Sequence, residues 1–137
     1  MTEQKQRRLA AILMLDVVGY SKLMADDEAG ALNRYLEVRS QLLEPTIARH
    51  SGRIVKHTGD GALVEFVSVT DAMQCALEIQ AKLAELETQS NNKQQLQLRV
   101  GINVGEIIVD GDDIFGNGVN VASRVEALAL PGGIAVT

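Results

Sequence analysis

The segment over residues 9–17 constrains the fold more than any other part of this sequence. It is apolar on both alternating faces and contains one charged residue, Asp16, near its end. A strand that is apolar on both faces lies inside a sheet whose two surfaces are covered. The segment is far shorter than the roughly 20 apolar residues of a membrane span, and it has no small-residue cleavage site. It therefore predicts a central strand of a cytoplasmic domain with no membrane span.

Hydrophobic periodicity along the rest of the chain predicts a mixed α+β order. In chain order, the expected elements are a helix over residues 27–48, hairpin strands over 53–57 and 62–67, a helix over 71–86, a polar loop over 89–95, strands over 96–104 and 106–109, a helix over 119–128 and a strand from Ile134. This order is a ferredoxin-like β-α-β-β-α-β core extended by a further β-α-β. The length of 137 residues fits a single domain over 1–137, and residues 1–6 are expected to form a flexible tail.

The predicted order brings two distant aspartates to one edge of the sheet. A right-handed crossover makes the first two strands parallel, and the third strand fits between them in the antiparallel direction. The end of the first strand, with Asp16, then lies beside the hairpin tip, where Asp60 stands between Gly59 and Gly61. By the same alternation of strands, the loop over residues 110–118 is expected at this edge.

The tip Gly59-Asp60-Gly61 has two explanations. It is ordinary hairpin-turn chemistry, because glycine supplies positive φ and aspartate tolerates the left-handed region. Alternatively, Asp16 and Asp60 are held together around a cation, since two adjacent carboxylates repel each other unless a positive charge lies between them or one is protonated. Oxygen ligands with open positions suit Mg²⁺ or Mn²⁺, whereas zinc needs thiolates or clustered histidines, which are missing here.

Phosphate is the expected partner of such a cation site, although no standard nucleotide motif occurs. The backbone N–H groups after Asp16, at Val18, Gly19, Tyr20 and Ser21, link a strand to a helix and could cradle phosphate. A Walker motif is absent, and the glycines over residues 116–121 lack the third small residue of the dinucleotide fingerprint.

Charge and cysteine content exclude other classes of function. The formal net charge of −5 argues against a general nucleic-acid-binding protein, which would carry a basic surface. The one cysteine, Cys75, lies in a helical stripe of small and apolar residues, so it is expected in the core rather than as a nucleophile.

Four segments of the chain carry most of its glycines and polar candidate residues: LDVVGYS at 15–21, VKHTGDG at 55–61, RVGINVG at 99–105 and DIFGNGVNVASR at 113–124. In order and spacing they resemble the catalytic domain of class III adenylate/guanylate cyclases. The resemblance covers the chain from about Arg7 onwards, and it implies the α+β architecture reached above. The family also uses two Mg²⁺ or Mn²⁺ ions per site, and its homodimers form composite sites with the metals from one chain and the base-reading and transition-state residues from the other.

The resemblance implies a role for each matching position. Asp16 and Asp60 match the metal-binding aspartates, with the carbonyl of Val17 as a further ligand; Lys56 and Asp113 match the purine-reading pair, Asn120 the ribose-orienting residue and Arg124 the arginine that stabilises the transition state. A lysine and an aspartate complement the N1 acceptor and exocyclic amine of adenine, so the expected substrate is ATP rather than GTP.

The short helix over residues 119–128 is expected to present its two functional residues together. Asn120 and Arg124 are four positions apart and share one face, while Val121, Val125 and Leu128 are expected to pack inward. Without the resemblance, Arg124 would be interpreted as a solvated surface arginine.

The implied reaction is cyclisation of ATP to 3′,5′-cyclic AMP and pyrophosphate, and two alternatives stay open. The family's domain continues with a triphosphate-binding lysine, whereas no lysine follows Lys93, so the sequence is expected to be C-terminally incomplete. One alternative is therefore a catalytically incomplete, nucleotide-binding or regulatory module. The other is a polymerase-palm or diguanylate-cyclase enzyme, but Thr58-Gly59-Asp60-Gly61 replaces its Gly-Gly-acidic hairpin. No side chain is assigned as the general base.

Overall fold

A mixed sheet with helices on both faces forms the domain. The computed structural model describes residues 6–89 and 95–137. Within these residues, the strands are β1 (Gln6–Val17), β2 (Arg53–His57), β3 (Gly61–Phe66), β4 (Leu98–Asp110), β5 (Asp113–Phe115) and β6 (Ile134–Val136). The helices are α1 (Tyr20–Asp26), α2 (Glu28–Val38), α3 (Glu44–Arg49), α4 (Val69–Gln89) and α5 (Asn117–Leu128), and a π-helical turn (Arg39–Leu43) joins α2 to α3. No helix in the described part of the chain is long and apolar enough to cross a membrane.

The strand order confirms the predicted α+β plan. The sheet runs β2-β3-β1-β4-β5, so β1 is central, with antiparallel neighbours on both sides. The outer side of β4 pairs with β6 near its start and with β5 near its end. The ferredoxin-like core is therefore extended by β5, α5 and β6.

The prediction of two strands around Gly105 is wrong, because β4 is continuous. Its ladder with β1 runs unbroken from Leu98 to Val109, and Gly105 pairs with Ala10 in the middle of it. A Cβ atom at Gly105 would lie 3.0 Å from the Cα of Gly118 in α5, so this glycine allows close helix packing rather than a turn.

Because β4 is continuous, the predicted position of the segment over residues 110–118 is also wrong. Asp16 pairs with Arg99 at the start of β4, whereas Asp110 ends β4, eleven residues further along. That is up to about 35 Å of extended strand. The segment over residues 110–118 therefore leaves the opposite end of the sheet from Asp16, and it contains the unpredicted strand β5.

The helical region over residues 20–49 is more divided than predicted. An additional helix, α1, precedes Asp27, which caps α2 by accepting a hydrogen bond from the Gly30 N–H at 3.1 Å. Pro45 lacks an N–H group and crowds the preceding turn, which accounts for the π-helical turn before it.

Other boundaries differ by a few residues. The tail prediction is wrong for Gln6, which pairs with Val109, and residues 1–5 lie outside the described residues. Helix α4 extends to Gln89, so only 90–94 of the predicted polar loop falls outside the described residues. The strand predicted from residue 96 begins at Leu98.

Two apolar layers cover the two faces of the sheet. Leu13 and Leu15 belong to the larger layer, beneath α2 to α4, which also buries Cys75. Burial raises the pKa of the Cys75 thiol to about 12, as expected for a core residue. Ile12 belongs to the smaller layer, beneath α5. Because strand side chains alternate, Asp16 lies on the same face as Ile12, the face that α5 covers.

Candidate active site

The structure brings the backbones of Asp16 and Asp60 together, as the topology predicted. Asp16 pairs across the sheet with Gly61, and the N–H of Val17 donates to the carbonyl of Asp60 at 2.9 Å. A Cβ atom at Gly61 would overlap the carbonyl oxygen of Leu15, so a glycine is required for this close approach of β3 to β1. The turn explanation and the site explanation of Gly59-Asp60-Gly61 are therefore compatible.

The chemistry of Asp16 fits a hard cation. Its Oδ1 atom is buried and accepts no hydrogen bond from the described residues. Burying a carboxylate oxygen without a hydrogen bond is costly unless the group is protonated or a cation compensates its charge. Within residues 6–89 and 95–137, no three acidic, histidine or cysteine side chains converge to hold a metal alone. An ion bound here would need further oxygen ligands from the backbone or from a phosphate.

Glu126 is a carboxyl group near Asp16 that the sequence did not predict. It is buried on α5, where burial and the nearby carboxylates of Asp16 and Asp60 raise its pKa to about 8. Arg99 acts in the opposite direction. The sequence shows Glu126 two positions after Arg124, but the residues predicted to pack inward from this helix did not include it.

The backbone after Asp16 offers fewer free N–H groups than predicted. The N–H of Val18 donates to the carbonyl of Gln97 at 2.8 Å. Gly19 adopts φ of 63° and precedes α1, and Tyr20 and Ser21 form its first turn, where N–H groups have no partner within the helix. The Tyr20 ring itself packs edge-on against Tyr35, with 5.9 Å between ring centroids.

Lys56 and Asp113 meet although they lie far apart in sequence. Lys56 Nζ is 3.3 Å from Asp113 Oδ1 and 3.4 Å from Oδ2, and it lies 5.7 Å from the centroid of the Phe115 ring. Both charged side chains are partly exposed. The pair joins β2 to β5, the two ends of the strand order, so the sheet curls. In the described residues, no hydrogen bond or ion pair connects this pair to Asp16 or Asp60.

Helix α5 presents Asn120 and Arg124 on one exposed face, as the spacing predicted. The predicted inward stripe is only partly correct. Val125 is buried and Val121 half-buried, but Leu128 is 80% exposed because α5 ends there. Neither Asn120 nor Arg124 forms a side-chain hydrogen bond or ion pair with a described residue, so both are available to a ligand. One chain therefore carries three separate groups of side chains. They are Asp16 with Asp60, Lys56 with Asp113, and the exposed face of α5.

Comparison with known proteins places this arrangement in a family. The model of the adenylate and guanylate cyclase catalytic domain matches residues 2–137. The protein named "Putative adenylate cyclase 3" from Rhizobium meliloti is 47% identical over 135 residues, which are 98% of this chain and 23% of that protein. An adenylate cyclase of Streptomyces coelicolor is 35% identical over 130 residues, which are 93% of this chain and 32% of that protein. The chain thus spans less than a third of the length of each of these two relatives, 23% of the first and 32% of the second.

Solved structures agree with the sequence relatives. An adenylate/guanylate cyclase/hydrolase from Silicibacter pomeroyi superposes with a TM-score of 0.89 at 47% identity, covering 97% of this chain and 77% of that one. The adenylyl cyclase CyaB from P. aeruginosa has a TM-score of 0.86 at 24% identity, covering 98% of this chain and 79% of that one, and supports the fold alone. Because the family model covers nearly every residue of a chain with this fold, the chain belongs to the adenylate and guanylate cyclase catalytic domain family.

Proposed function

We propose that this domain is an adenylate cyclase that converts ATP to 3′,5′-cyclic AMP and pyrophosphate at composite sites of a homodimer. The observation that carries the proposal is the buried Oδ1 atom of Asp16, which accepts no hydrogen bond from the described residues and lies beside the Asp60 backbone. Relatives named adenylate cyclase support the choice of reaction. The cytoplasmic location expected from the sequence stays a prediction.

The carboxylates of Asp16 and Asp60, with the carbonyl of Val17, would hold two Mg²⁺ or Mn²⁺ ions. Bound divalent ions lower the pKa of the attacking ribose 3′-hydroxyl and neutralise charge on the triphosphate. The N–H groups of Gly19, Tyr20 and Ser21, which donate no hydrogen bond to a described residue, would bind phosphate oxygens at the start of α1.

Selection of adenine falls to Lys56 and Asp113. The lysine donates to N1 of adenine, and the aspartate accepts from the exocyclic amine, whereas guanine presents the reverse pattern. The distance of 3.3 Å between Lys56 Nζ and Asp113 Oδ1 supports this role, because two groups that read adjacent positions of one base edge must lie close together.

The exposed face of α5 acts on the sugar and the reacting phosphate. Asn120 orients the ribose, and the planar guanidinium of Arg124 donates to the oxygens of the α-phosphoryl group as charge develops there. A dimer in which each chain supplies Asp16 and Asp60 to one site, and Lys56 and Arg124 to the other, would assemble groups that one chain holds apart.

The proposal is tested by cyclic AMP formation from ATP with Mg²⁺ or Mn²⁺. Asp16→Asn keeps the shape of the side chain but removes the charge that holds the ion. We expect kcat/KM to fall by at least about a hundredfold, because metal ligation is worth several kcal/mol to the transition state. Mn²⁺ binding, followed by electron paramagnetic resonance of the free ion, should weaken in parallel.

Glu85→Gln is the matched control, because it also neutralises one carboxylate but on the exposed face of α4. It should retain wild-type turnover and Mn²⁺ affinity. If the wild-type chain binds ATP and Mn²⁺ but forms no cyclic AMP, the proposal is wrong and the chain is a nucleotide-binding module. If Asp16→Asn leaves Mn²⁺ binding unchanged, the assignment of the metal site is wrong.

A further inference from the structure

Arg53 connects the two edges of the curled sheet. Its Nη1 donates to the carbonyl of Asp112 at 2.9 Å, and its Nη2 donates to Oε1 of Glu65 at 2.9 Å. The other oxygen of Glu65 is 2.6 Å from Nη2 of Arg8. The chain of contacts from Arg8 through Glu65 and Arg53 to Asp112 therefore crosses from β1, through β3 and β2, to the turn before β5.

Glu65, in the middle of this series of contacts, carries a buried charge. The Glu65 side chain is only 8% exposed, although it carries a carboxylate between two arginines. Burying an unpaired carboxylate is costly, so Glu65 holds the guanidinium of Arg53 in place. The planar guanidinium of arginine holds its donors in a fixed fork, whereas the ammonium of lysine is a compact charge whose three donors rotate. Arg53 is thus more constrained than its half-exposed side chain alone would indicate.

Arg53 contacts the turn that leads into β5, which is more exposed than the strand itself. Strand β5 has three residues, pairs with the end of β4 and buries Ile114, whereas the preceding turn is exposed at Gly111 and Asp112. Asp113 follows directly after the carbonyl that Arg53 binds. Its Oδ1 accepts from the Ile114 N–H at 2.8 Å, so the orientation of the carboxylate follows the backbone of β5.

We propose that Arg53 is a positioning residue for nucleobase selection. By holding the carbonyl of Asp112, it keeps Asp113 within reach of Lys56, so the donor and the acceptor present the spacing that adenine requires. This inference rests on the proposed function, because it assumes that Lys56 and Asp113 read the base. It adds a residue that touches neither the base nor the reacting atoms.

The test compares discrimination between nucleotides in three variants. Arg53→Met retains much of the aliphatic length but no donors, Arg53→Lys retains the charge opposite Glu65 without the fork, and Arg7→Met removes the exposed Arg7–Glu106 ion pair as a control. Binding of 3′-deoxy-ATP and 3′-deoxy-GTP is measured with Mg²⁺, because neither analogue has the hydroxyl that cyclises. Cyclic AMP and cyclic GMP formation give kcat and KM, and thermal melting verifies folding.

Arg53→Met should reduce the preference for 3′-deoxy-ATP over 3′-deoxy-GTP by about tenfold, and it should raise KM for ATP more than it lowers kcat. Arg53→Lys should lie between Arg53→Met and wild type, and Arg7→Met should match wild type. A folded Arg53→Met with the wild-type preference overturns the inference, as does full recovery with lysine. Either of these results leaves the proposed function intact if the wild-type chain cyclises ATP. A wild-type chain that binds neither analogue overturns the inference about Arg53 and the proposed function together.

Discussion

At the scale of single residues, ionisable groups in this domain behave according to their surroundings. Glu126 and Glu78 have the same side chain, yet burial beside Asp16 raises the pKa of Glu126 to about 8. Hydrogen bonds from Arg49 and His50 hold the pKa of Glu78 at about 2. The first carboxyl belongs to the candidate site, and the second connects α3 to α4 on the surface.

Glu78 predicts a pH dependence of stability. Its pKa is lower in the folded chain than the ordinary value near 4.5, so its stabilising effect is fully present above about pH 4.5 and is lost as the pH falls towards 2. The Tm of Glu78→Gln should therefore lie below that of wild type at pH 7, and this difference should shrink as the pH is lowered below 4.5. Thermal melts of both proteins across this range provide the measurement.

Glu85→Gln controls for the loss of one negative charge on the same helix. Its Tm should stay close to that of wild type, and any difference should not vary with pH in the same way. A Glu78→Gln deficit that is equal at pH 7 and pH 3 would show that the carboxylate of Glu78 is not stabilised by its partners in the folded chain.

At the scale of elements, the packing of α5 on β4 decides where the exposed face of this helix, with Asn120 and Arg124, lies. Gly101 lies under α5, and a Cβ atom there would collide with the backbone N and Cα of Glu126. Asn103 donates from Nδ2 to the carbonyl of Gly118 at 3.0 Å, which fixes the start of the helix. The helix therefore has one close-packed position, from which Asn120 and Arg124 face outward.

Gly101→Ala should displace α5 from the sheet. The added methyl group meets backbone atoms, which cannot rotate away, so the free energy of unfolding should fall by about 1–3 kcal/mol. Turnover should fall with it, since the positions of Asn120 and Arg124 depend on the helix. Denaturant unfolding and cyclic AMP formation measure the two effects.

Val104→Ala is the matched substitution on the same strand, because this side chain is half-exposed. It should alter both quantities much less than Gly101→Ala. If Gly101→Ala has wild-type stability and turnover, then the close contact between β4 and α5 does not control the helix position.

At the scale of the whole molecule, the candidate site residues divide into sets that one chain keeps apart. Asp16 lies opposite the start of β4, while Asp113 follows the end of it. A two-fold dimer could bring the carboxylates of one chain to the α5 face of its partner, and such a dimer has two equivalent sites.

Mixing two inactive variants tests this arrangement. Asp16→Asn and Arg124→Ala should each be nearly inactive, but a dimer of one chain of each kind has one intact site. After chains exchange in an equal mixture, half of the dimers are mixed, so about a quarter of the wild-type activity should return. Cyclic AMP formation is measured before and after exchange, with mixed dimers quantified by differently tagged chains.

Mixing Asp16→Asn with Asp60→Asn is the control. Both changes affect the metal-binding half, so neither site of the mixed dimer is intact and activity should not return. If tagged mixed dimers of Asp16→Asn and Arg124→Ala form but stay inactive, the two residues do not act across chains.

Much of the architecture follows from the amino-acid sequence by itself. The period of apolar residues predicted most of the strands and helices in their order, and the handedness of crossovers placed β3 between β1 and β2. The meeting of Asp16 with Asp60 followed from that topology. These features depend on local periodicity and on a general rule of chain connection, both of which are readable without coordinates.

Only the tertiary structure decided the remaining features. Gly105 is a turn by local propensity, but an unbroken ladder with β1 holds it in β4. The curl of the sheet brings Asp112 to Arg53, and the depth of α5 buries Glu126. Each of these outcomes depends on contacts between residues distant in sequence, whose free energies outweigh the local preferences that a sequence displays.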